Sequence, residues 1–378
     1  MTSVVPVVNF DPKALHIRVP PGFVREVGSA LRVTAPDYVP LIDCLGDHML
    51  FSLFETLKYW ETNSWIPSRI QSNFRRTKII EWFAFWKGYK DAGGTFPPSS
   101  SQTITLKQDS FAEGTLHPTL FSVIPIGSID VQIKCIVQHS VSVLQKHPRV
   151  SSVVCVYDGI APMRDLESRY PKVETIAVAE RRGPANARNL GMTVGFERGH
   201  EDALLLDSDI FLTFDKLNTL LGEYDVKQHA IGCPLVYAMG KTWLDHYHDL
   251  AGTLNGRYLG QLISRSLFFG TTSCMIVSNA VYDSGIRFSP DFPDAAGEDI
   301  DFCLNCLRAG FTLAALDNVG ISHWYGYNGN HAHDWGSLRS RFERYGRGEY
   351  TVTKKHPYYH FLVSRTKERP SSVSRRAS

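Results

Sequence analysis

The chain has 378 residues, of which 43% are hydrophobic and 21% are charged, values close to those of soluble globular proteins. The formal net charge of +2 is too small to indicate nucleic acid as the main partner. The N-terminus lacks a basic start with a long apolar run, and no stretch approaches the roughly 18 apolar residues of a membrane span. We therefore expect a cytoplasmic protein with no signal peptide and no transmembrane segment.

Residues 1–115 are predicted to form a small helical or mixed subdomain. Apolar residues, many of them aromatic, recur at helical spacing over Asp43–Trp60 and Ile79–Tyr89. Gly93-Gly94 and the run Pro97-Pro98-Ser99-Ser100-Ser101 then mark a turn and a linker. No residue pattern in this region indicates a particular chemistry.

Residues 116–335 alternate strands and helices. The predicted strands are Leu120–Ile126, Val153–Tyr157, Val173–Ala179 and Ala203–Leu206, and the predicted helices are Val131–Gln145 and Pro184–Glu197. This βαβαβ order predicts a parallel sheet with right-handed crossovers. Ligands of such sheets bind beyond the carboxyl ends of the strands, which is where Asp158 and Asp207 fall.

Residues 336–378 are predicted to form a C-terminal extension. A charged helical stretch covers Leu338–Tyr345, and the basic tail that ends the chain has almost nothing to bury, so we expect it to be disordered.

The seven cysteines are scattered and odd in number, which argues against a disulfide framework. Cys303 and Cys306 form a CxxC pair among apolar residues at helical spacing. Because no second Cys or His pair has zinc-ligand spacing, we expect buried structural thiols.

The segment LLLDSDIF brings two carboxylates, Asp207 and Asp209, to the end of an apolar strand. Like charges this close repel each other unless a cation neutralises them, and a hard ion such as Mn²⁺ or Mg²⁺ prefers oxygen ligands. Acidic residues that cap the following turn are the alternative interpretation.

The segment ERRGPANARNLG precedes it. Gly183-Pro184 is typical of a helix start, where free backbone N–H groups favour phosphate. Arg188 and Asn189 follow one turn later, within reach of a nucleotide or of the acidic loop. Surface pairing of these two side chains is the alternative.

The segment AAGEDIDFCLNCLRAGF places Glu298 and Asp299 at a helix start. The helix dipole alone would favour acidic residues there, but a carboxylate in this position could also take a proton from a hydroxyl group. His323 follows a short strand-like run and is a candidate third metal ligand, with His331 and His333 as weaker ones. Aromatic faces at Trp324, Tyr325 and Tyr327 could stack on sugars.

The order of these motifs resembles the GT-A glycosyltransferases of family 2 and, more loosely, the polypeptide N-acetylgalactosaminyltransferases, over about residues 119–325. The resemblance implies an α/β fold of GT-A type: a Rossmann-like, mostly parallel sheet flanked by helices, here with a smaller N-terminal subdomain. It is carried by Ser122-Val123-Ile124-Pro125, by Asp158-Gly159, by GPANARNLG with LLLDSDIF, and by GEDIDFCLNCLRAGF.

The resemblance also implies roles for single residues. Asp158 matches the acidic residue that contacts the donor base, typically uracil. Pro125, Arg188 and Asn189 match positions that border the nucleotide. Asp207 and Asp209 match the DxD pair, with Asp209 the more direct ligand of Mn²⁺ or Mg²⁺. Asp299, beside Glu298, matches the catalytic base of the ED motif, and His323 matches a metal-binding histidine of some relatives.

Several features depart from the family pattern. Ile126-Gly127-Ser128 stands where many relatives have Thr-x-Asn, which weakens a base contact from that loop, and Asn305 stands where relatives often carry Arg. The Gln-x-x-Arg-Trp signature of processive synthases is missing from the sequence.

The expected function is metal-dependent, inverting and non-processive transfer from a nucleotide-sugar, a UDP-sugar, to an acceptor hydroxyl. The acceptor, whether glycan, small molecule or peptide, stays open, as do homodimer formation and the role of residues 1–115. A nucleotidyltransferase is an alternative, although the loop after the first strand lacks the Gly-rich, basic pattern that holds a triphosphate. A non-catalytic sugar-nucleotide-binding protein is another.

Overall fold

The computed structural model describes residues 19–62, 68–96, 98, 119–227, 230–239, 259–261, 267–292, 295–324, 335–360 and 362. Backbone contacts divide the chain into two compact units. One contains residues 3–103 and 333–360, and the other contains residues 104–332 and 361–378. The tail predicted to be disordered and most of the predicted linker lie outside the described residues.

The first unit begins with three helices. They are α1 (Pro21–Thr34), α2 (Leu41–Thr62) and α3 (Ser68–Asp91), with a 3-10 turn at Pro36–Tyr38 between the first two. Helix α2 is kinked at Gly46, whose φ of 67° is non-helical. The two stretches predicted to be helical lie within α2 and α3, whereas α1 was not predicted.

The described residues of the second unit contain ten strands. They are β1 (Leu120–Ile126), β2 (Val150–Asp158), β3 (Val173–Val178), β4 (Asp202–Leu206), β5 (Ile210–Phe211), β6 (Ile231–Ala238), β7 (Leu259–Gln261), β8 (Leu267–Gly270), β9 (Cys274–Ser278) and β10 (Leu313–His323). Its helices are α4 (Val131–Lys146), α5 (Leu166–Arg169), α6 (Pro184–Glu197), α7 (Phe214–Lys227), α8 (Asn279–Asp283) and α9 (Glu298–Ala309).

Eight strands form one sheet in the order β3-β2-β1-β4-β9-β6-β10-β5. The run from β3 to β4 is parallel, and β10 is parallel to β6, while β9 and β5 are antiparallel to their neighbours. Strands β7 and β8 pair separately. The predicted α/β class with a mostly parallel sheet is confirmed, and the bounds of β1 and α6 are those predicted. The antiparallel strand β9 was not predicted.

Helix α6 lies close against β1. An ideal Cβ at Gly191 would stand 2.3 Å from Cγ1 of Val123, and one at Gly195 would stand 2.1 Å from Cε2 of Phe121. Only glycine fits at these positions, so the helix approaches the sheet more closely than a side chain would allow. This contact fixes the helix that carries Arg188.

The last described helix, α10 (Trp335–Lys355), packs against α3 in the first unit. An ideal Cβ at Gly88 would lie 1.9 Å from the backbone oxygen of Glu343, and one at Gly346 would lie 1.8 Å from that of Phe85. The two backbones therefore touch at glycines. The contacts group α10 with the N-terminal helices, whereas the sequence analysis set residues 336–378 apart.

Two further expectations from the sequence concern the CxxC cysteines and membrane-spanning segments. Cys303 and Cys306 are both buried, and burial raises the pKa of each thiol. Within the described parts of the chain, none of the helices combines the length and apolar character needed to cross a bilayer.

Candidate active site

The DxD segment follows β4 at the carboxyl end of the sheet. The Asp207 N–H donates to the Ser273 carbonyl at 2.9 Å, and the Ile210 N–H donates to the Asp207 carbonyl at 3.1 Å. These two bonds form a turn between β4 and β5 and join it to the loop before β9. Buried Leu204 and Leu206 anchor the strand, so the partly exposed carboxylates are held at its end.

Asp209 and His323 meet at this edge. Nε2 of His323 lies 3.1 Å from Oδ1 of Asp209. The pairing of β10 with β5 sets His323 opposite Ile210, and the Trp324 N–H donates to the Asp209 carbonyl at 2.8 Å. The structure thus brings together Asp209, predicted to be the more direct metal ligand of the DxD pair, and the histidine predicted to join it.

The donor set at Asp209 and His323 fits part of the coordination shell of Mn²⁺ or Mg²⁺. Neighbouring ligands in an octahedral shell with bonds of about 2.1 Å stand about 3 Å apart, which matches the 3.1 Å between these two atoms. Among the residues that the structure describes, no three His, Cys, Asp or Glu side chains form a cluster able to hold an ion by themselves. An ion here would need further oxygens from phosphate or water, as Mg²⁺ commonly does.

Arg188 is buried between the two acidic motifs and is only 3% exposed. Its Nη2 donates to Oδ1 of Asp207 at 2.6 Å, and its Nη1 donates to Oε1 of Glu298 at 3.0 Å. Burial lowers the pKa of the guanidinium, but the two carboxylates raise it further, so the net pKa lies above its ordinary value. Of the two contacts predicted for Arg188, the structure shows the one with the acidic loop, and the contact with a nucleotide stays a prediction.

The ED motif begins α9. Gly297 precedes it in the left-handed region at φ 91°, which brings the chain into the helix at Glu298. Glu298 is buried against Arg188, while Asp299 is only partly buried. Desolvation and the neighbouring charge of Glu298 raise the pKa of Asp299 to about 7. A carboxyl group with this pKa can exchange a proton near neutral pH.

Asp158 ends β2 and is buried. Its Oδ1 accepts a hydrogen bond from the Arg182 N–H at 2.7 Å, and its Oδ2 accepts one from the Gly183 N–H at 2.8 Å. These bonds tie the end of β2 to the loop before α6. The predicted contact of Asp158 with a nucleotide base stays a prediction.

Asn189 binds the protein backbone with its side-chain amide, and its predicted contact with a nucleotide stays a prediction. Its Nδ2 donates to the Phe288 carbonyl at 2.8 Å, and its Oδ1 accepts from the Phe288 N–H at 2.9 Å. Both ends of the side-chain amide are therefore used to fasten the loop before α9 onto α6. Contact with a nucleotide would require breaking this pair.

Pro125 is buried inside β1, opposite Val156 of β2. Proline has no backbone N–H to donate within a sheet. The pairing of β1 with β4 covers Leu120–Val123 only, so Pro125 lies beyond the residues paired with β4. Its nucleotide contact stays a prediction. Tyr325, Tyr327, His331 and His333 lie outside the described residues.

Phe288 belongs to the site although no sequence pattern predicted it. Its ring lies under the Arg188 guanidinium, with Cζ 5.7 Å from the ring centroid, and stacks on Phe302 of α9 at 4.1 Å. A phenylalanine in a loop carries no sequence signal for this role, because the role depends on how the loop folds back onto α6.

One family of known proteins matches the part of this chain that contains the candidate site. Residues 203–367, a little under half of the chain, match the model of glycosyl transferase family group 2. This region contains both acidic motifs and His323. No curated protein gives a significant match.

Among solved structures, the chain is similar to S. aureus TarS. Residues 1–349 of TarS in complex with UDP are 13% identical, with a TM-score of 0.42, over 59% of this chain and 65% of that one. A second TarS structure is 16% identical, with a TM-score of 0.41, over 55% and 36%. The chain thus spans less than two thirds of the first of these relatives.

Residues 203–367 are thus similar to glycosyl transferase family group 2, within a mostly parallel α/β sheet of the type that the motifs predicted. The resemblance that the motifs indicated is confirmed over residues 203–367.

Proposed function

We propose that this chain transfers a sugar from a nucleotide-sugar, a UDP-sugar, to an acceptor hydroxyl group, with a divalent metal ion and with inversion at the anomeric carbon. The observation that carries the proposal is the meeting of the DxD and ED motifs at the carboxyl-end edge of the sheet, joined by one guanidinium. The family match supports it, because it spans both motifs. The absence of a processive-synthase signature from the sequence favours the addition of one sugar at a time.

Asp209 and His323 are the residues proposed to hold Mn²⁺ or Mg²⁺. Their ligand atoms already stand at the spacing of neighbouring ligands, and Asp209 is partly exposed at the strand end. A bound ion would neutralise charge on the donor diphosphate and make it a better leaving group. Asp207 lies in the same turn, and one of its carboxylate oxygens accepts a hydrogen bond from Arg188. We therefore assign Asp207 a supporting role beside the ion.

Asp299 is the proposed general base. The acceptor hydroxyl gives its proton to Asp299 while its oxygen forms a bond to the anomeric carbon from the face opposite the diphosphate. The bond from that carbon to the diphosphate oxygen breaks, and the electron pair leaves with the nucleoside diphosphate. The raised pKa of Asp299 supports this assignment, since a base with a pKa near 7 holds the proton it removes.

The test is a panel of nucleotide-sugars incubated with the full chain, Mn²⁺ and candidate hydroxyl acceptors. We expect release of nucleoside diphosphate from one sugar donor, dependent on metal, with mass spectrometry detecting one added sugar on an acceptor. Pyrophosphate release from a nucleoside triphosphate would instead indicate a nucleotidyltransferase. Tight binding of sugar donors without turnover under any condition would contradict an enzymatic role.

A further inference from the structure

The side chain of Arg188 is enclosed on every side that the structure describes. Its two terminal nitrogens donate to Asp207 and Glu298, and its guanidinium lies over the ring of Phe288. It is 3% exposed. Its Nε has no hydrogen-bond partner, but it is buried as well, so a donor phosphate could reach the guanidinium only if the side chains around it moved, which argues against a direct donor contact.

We propose that Arg188 is a positioning residue that holds the DxD turn and the start of α9 at a fixed separation. This inference rests on the proposed function, because the fixed separation matters only if both motifs act on one substrate. The planar guanidinium fork can bind two carboxylates in one defined geometry. It thereby sets the distance between the metal-site residues and the general base.

The close packing of α6 on β1 and the contacts of Phe288 hold Arg188 in place. Gly191 and Gly195, on the same helix, allow α6 to lie directly on β1. The neighbouring Asn189 bonds to the backbone of Phe288, and the Phe288 ring contacts both the guanidinium and the ring of Phe302. Small errors in the placement of reacting groups reduce rates steeply, so a fixed bridge between the two motifs has a catalytic consequence.

The first test compares Arg188→Met and Arg188→Lys with Arg198→Met. Arg198 is the matched control because it ends the same helix and pairs with Glu174 at an exposed position. For Arg188→Met we expect kcat to fall about 100-fold or more, as positional errors predict, and the Kd for UDP measured without metal to change by less than about threefold. Arg188→Lys keeps the charge but loses the fork, so we expect an intermediate kcat. A metal-free UDP affinity that falls as much as kcat/KM would make Arg188 a donor ligand and overturn the proposal, as would an unchanged kcat.

The second test is a double-mutant cycle with Glu298→Gln. If Arg188 acts through Glu298, the double variant Arg188→Met with Glu298→Gln has a kcat close to that of the worse single variant. If the two effects multiply, the residues act independently and the proposed bridge is wrong.

A third measurement separates this inference from the proposed function, because it needs no turnover. Backbone hydrogen exchange is measured over residues 207–211 and 298–302 in the full chain. We expect faster exchange in both segments for Arg188→Met, or for Arg188→Lys if the methionine variant does not fold, and no change for Arg198→Met. If the wild type transfers no sugar but both segments exchange faster in the Arg188 variant, the proposed function is wrong and the proposed bridge is supported. If only one segment or neither loosens, the bridge fails.

Discussion

His323 and Asp209 stand with Nε2 and Oδ1 3.1 Å apart, and the backbone explains why they meet. The short strand β5 begins one residue after Asp209 and pairs antiparallel with the end of β10, which sets His323 opposite Ile210. The Trp324 N–H then closes the pair by donating to the Asp209 carbonyl. Because side chains alternate along a strand, a shift of one residue in this register would turn His323 to the other face of the sheet.

Asp209→Asn is expected to abolish metal-dependent turnover. Asparagine keeps the size of the side chain but lacks the negative charge that a divalent ion requires. We expect at least a 100-fold lower rate with saturating donor and weaker Mn²⁺ binding in electron paramagnetic resonance titrations, with the unfolding transition retained. Asp215→Asn is the control, since Asp215 is exposed in the first turn of α7. A variant at 209 that still binds Mn²⁺ like the wild type would contradict the metal assignment.

The rate of transfer is expected to fall below neutral pH. Asp299 acts as a base only when it is deprotonated, and its pKa is raised to about 7. The value of kcat/KM should therefore drop about tenfold per pH unit once the pH is well below 7. Rates from pH 5 to 9 with a fixed metal concentration check this. A flat profile down to pH 5 would be incompatible with Asp299 as the base.

The raised pKa of Asp299 also predicts how the stability of the folded chain depends on pH. The folded-state pKa of Asp299 lies above the unfolded value of about 3.9, so the folded chain binds more protons between these two values. The contribution of Asp299 to stability is therefore present at low pH and is lost as the pH rises towards 7. Denaturant unfolding of the wild type and of Asp299→Asn at pH 5 and pH 8 should show a smaller pH dependence in the variant. An unchanged dependence would mean that Asp299 does not titrate as the structure indicates.

Asn189→Leu is expected to destabilise the second unit. It removes both hydrogen bonds to Phe288 and leaves a backbone N–H and a carbonyl without their partner, at a cost of about 2–4 kcal/mol. Asn279→Leu is the control, because its side chain bonds only to Asp283 at an exposed position and should change stability by less than about 0.5 kcal/mol. Equal unfolding midpoints for the two variants would show that the Phe288 contact contributes little.

Gly88→Ala tests the packing of α3 against α10. The added Cβ would overlap the backbone oxygen of Glu343, so the helices must separate, and we expect a loss of about 2–4 kcal/mol. Gly22→Ala in α1 meets nothing within 4 Å and should stabilise the helix by about 0.5–1 kcal/mol. Thermal unfolding of the full chain measures both. A neutral Gly88→Ala would mean that the two backbones are not in contact.

The sequence by itself determined the strands and helices that lead to the two acidic motifs. The apolar run of β1, the glycine-proline start of α6 and the carboxylates after β4 are local signals, and local signals are enough to fix these elements and the edge at which they end. The family resemblance followed from the same motifs. Strand β9 was not predicted, because a short apolar run does not reveal its direction in a sheet.

Only the tertiary structure decided which side chains meet. In the structure, both terminal nitrogens of Arg188 donate to carboxylates, and the amide of Asn189 bonds to the Phe288 backbone. Helix α10 packs against α3. These outcomes depend on strand register and on how closely backbones approach. Both are set by the packing of segments far apart in the chain, and no local pattern in the sequence records them.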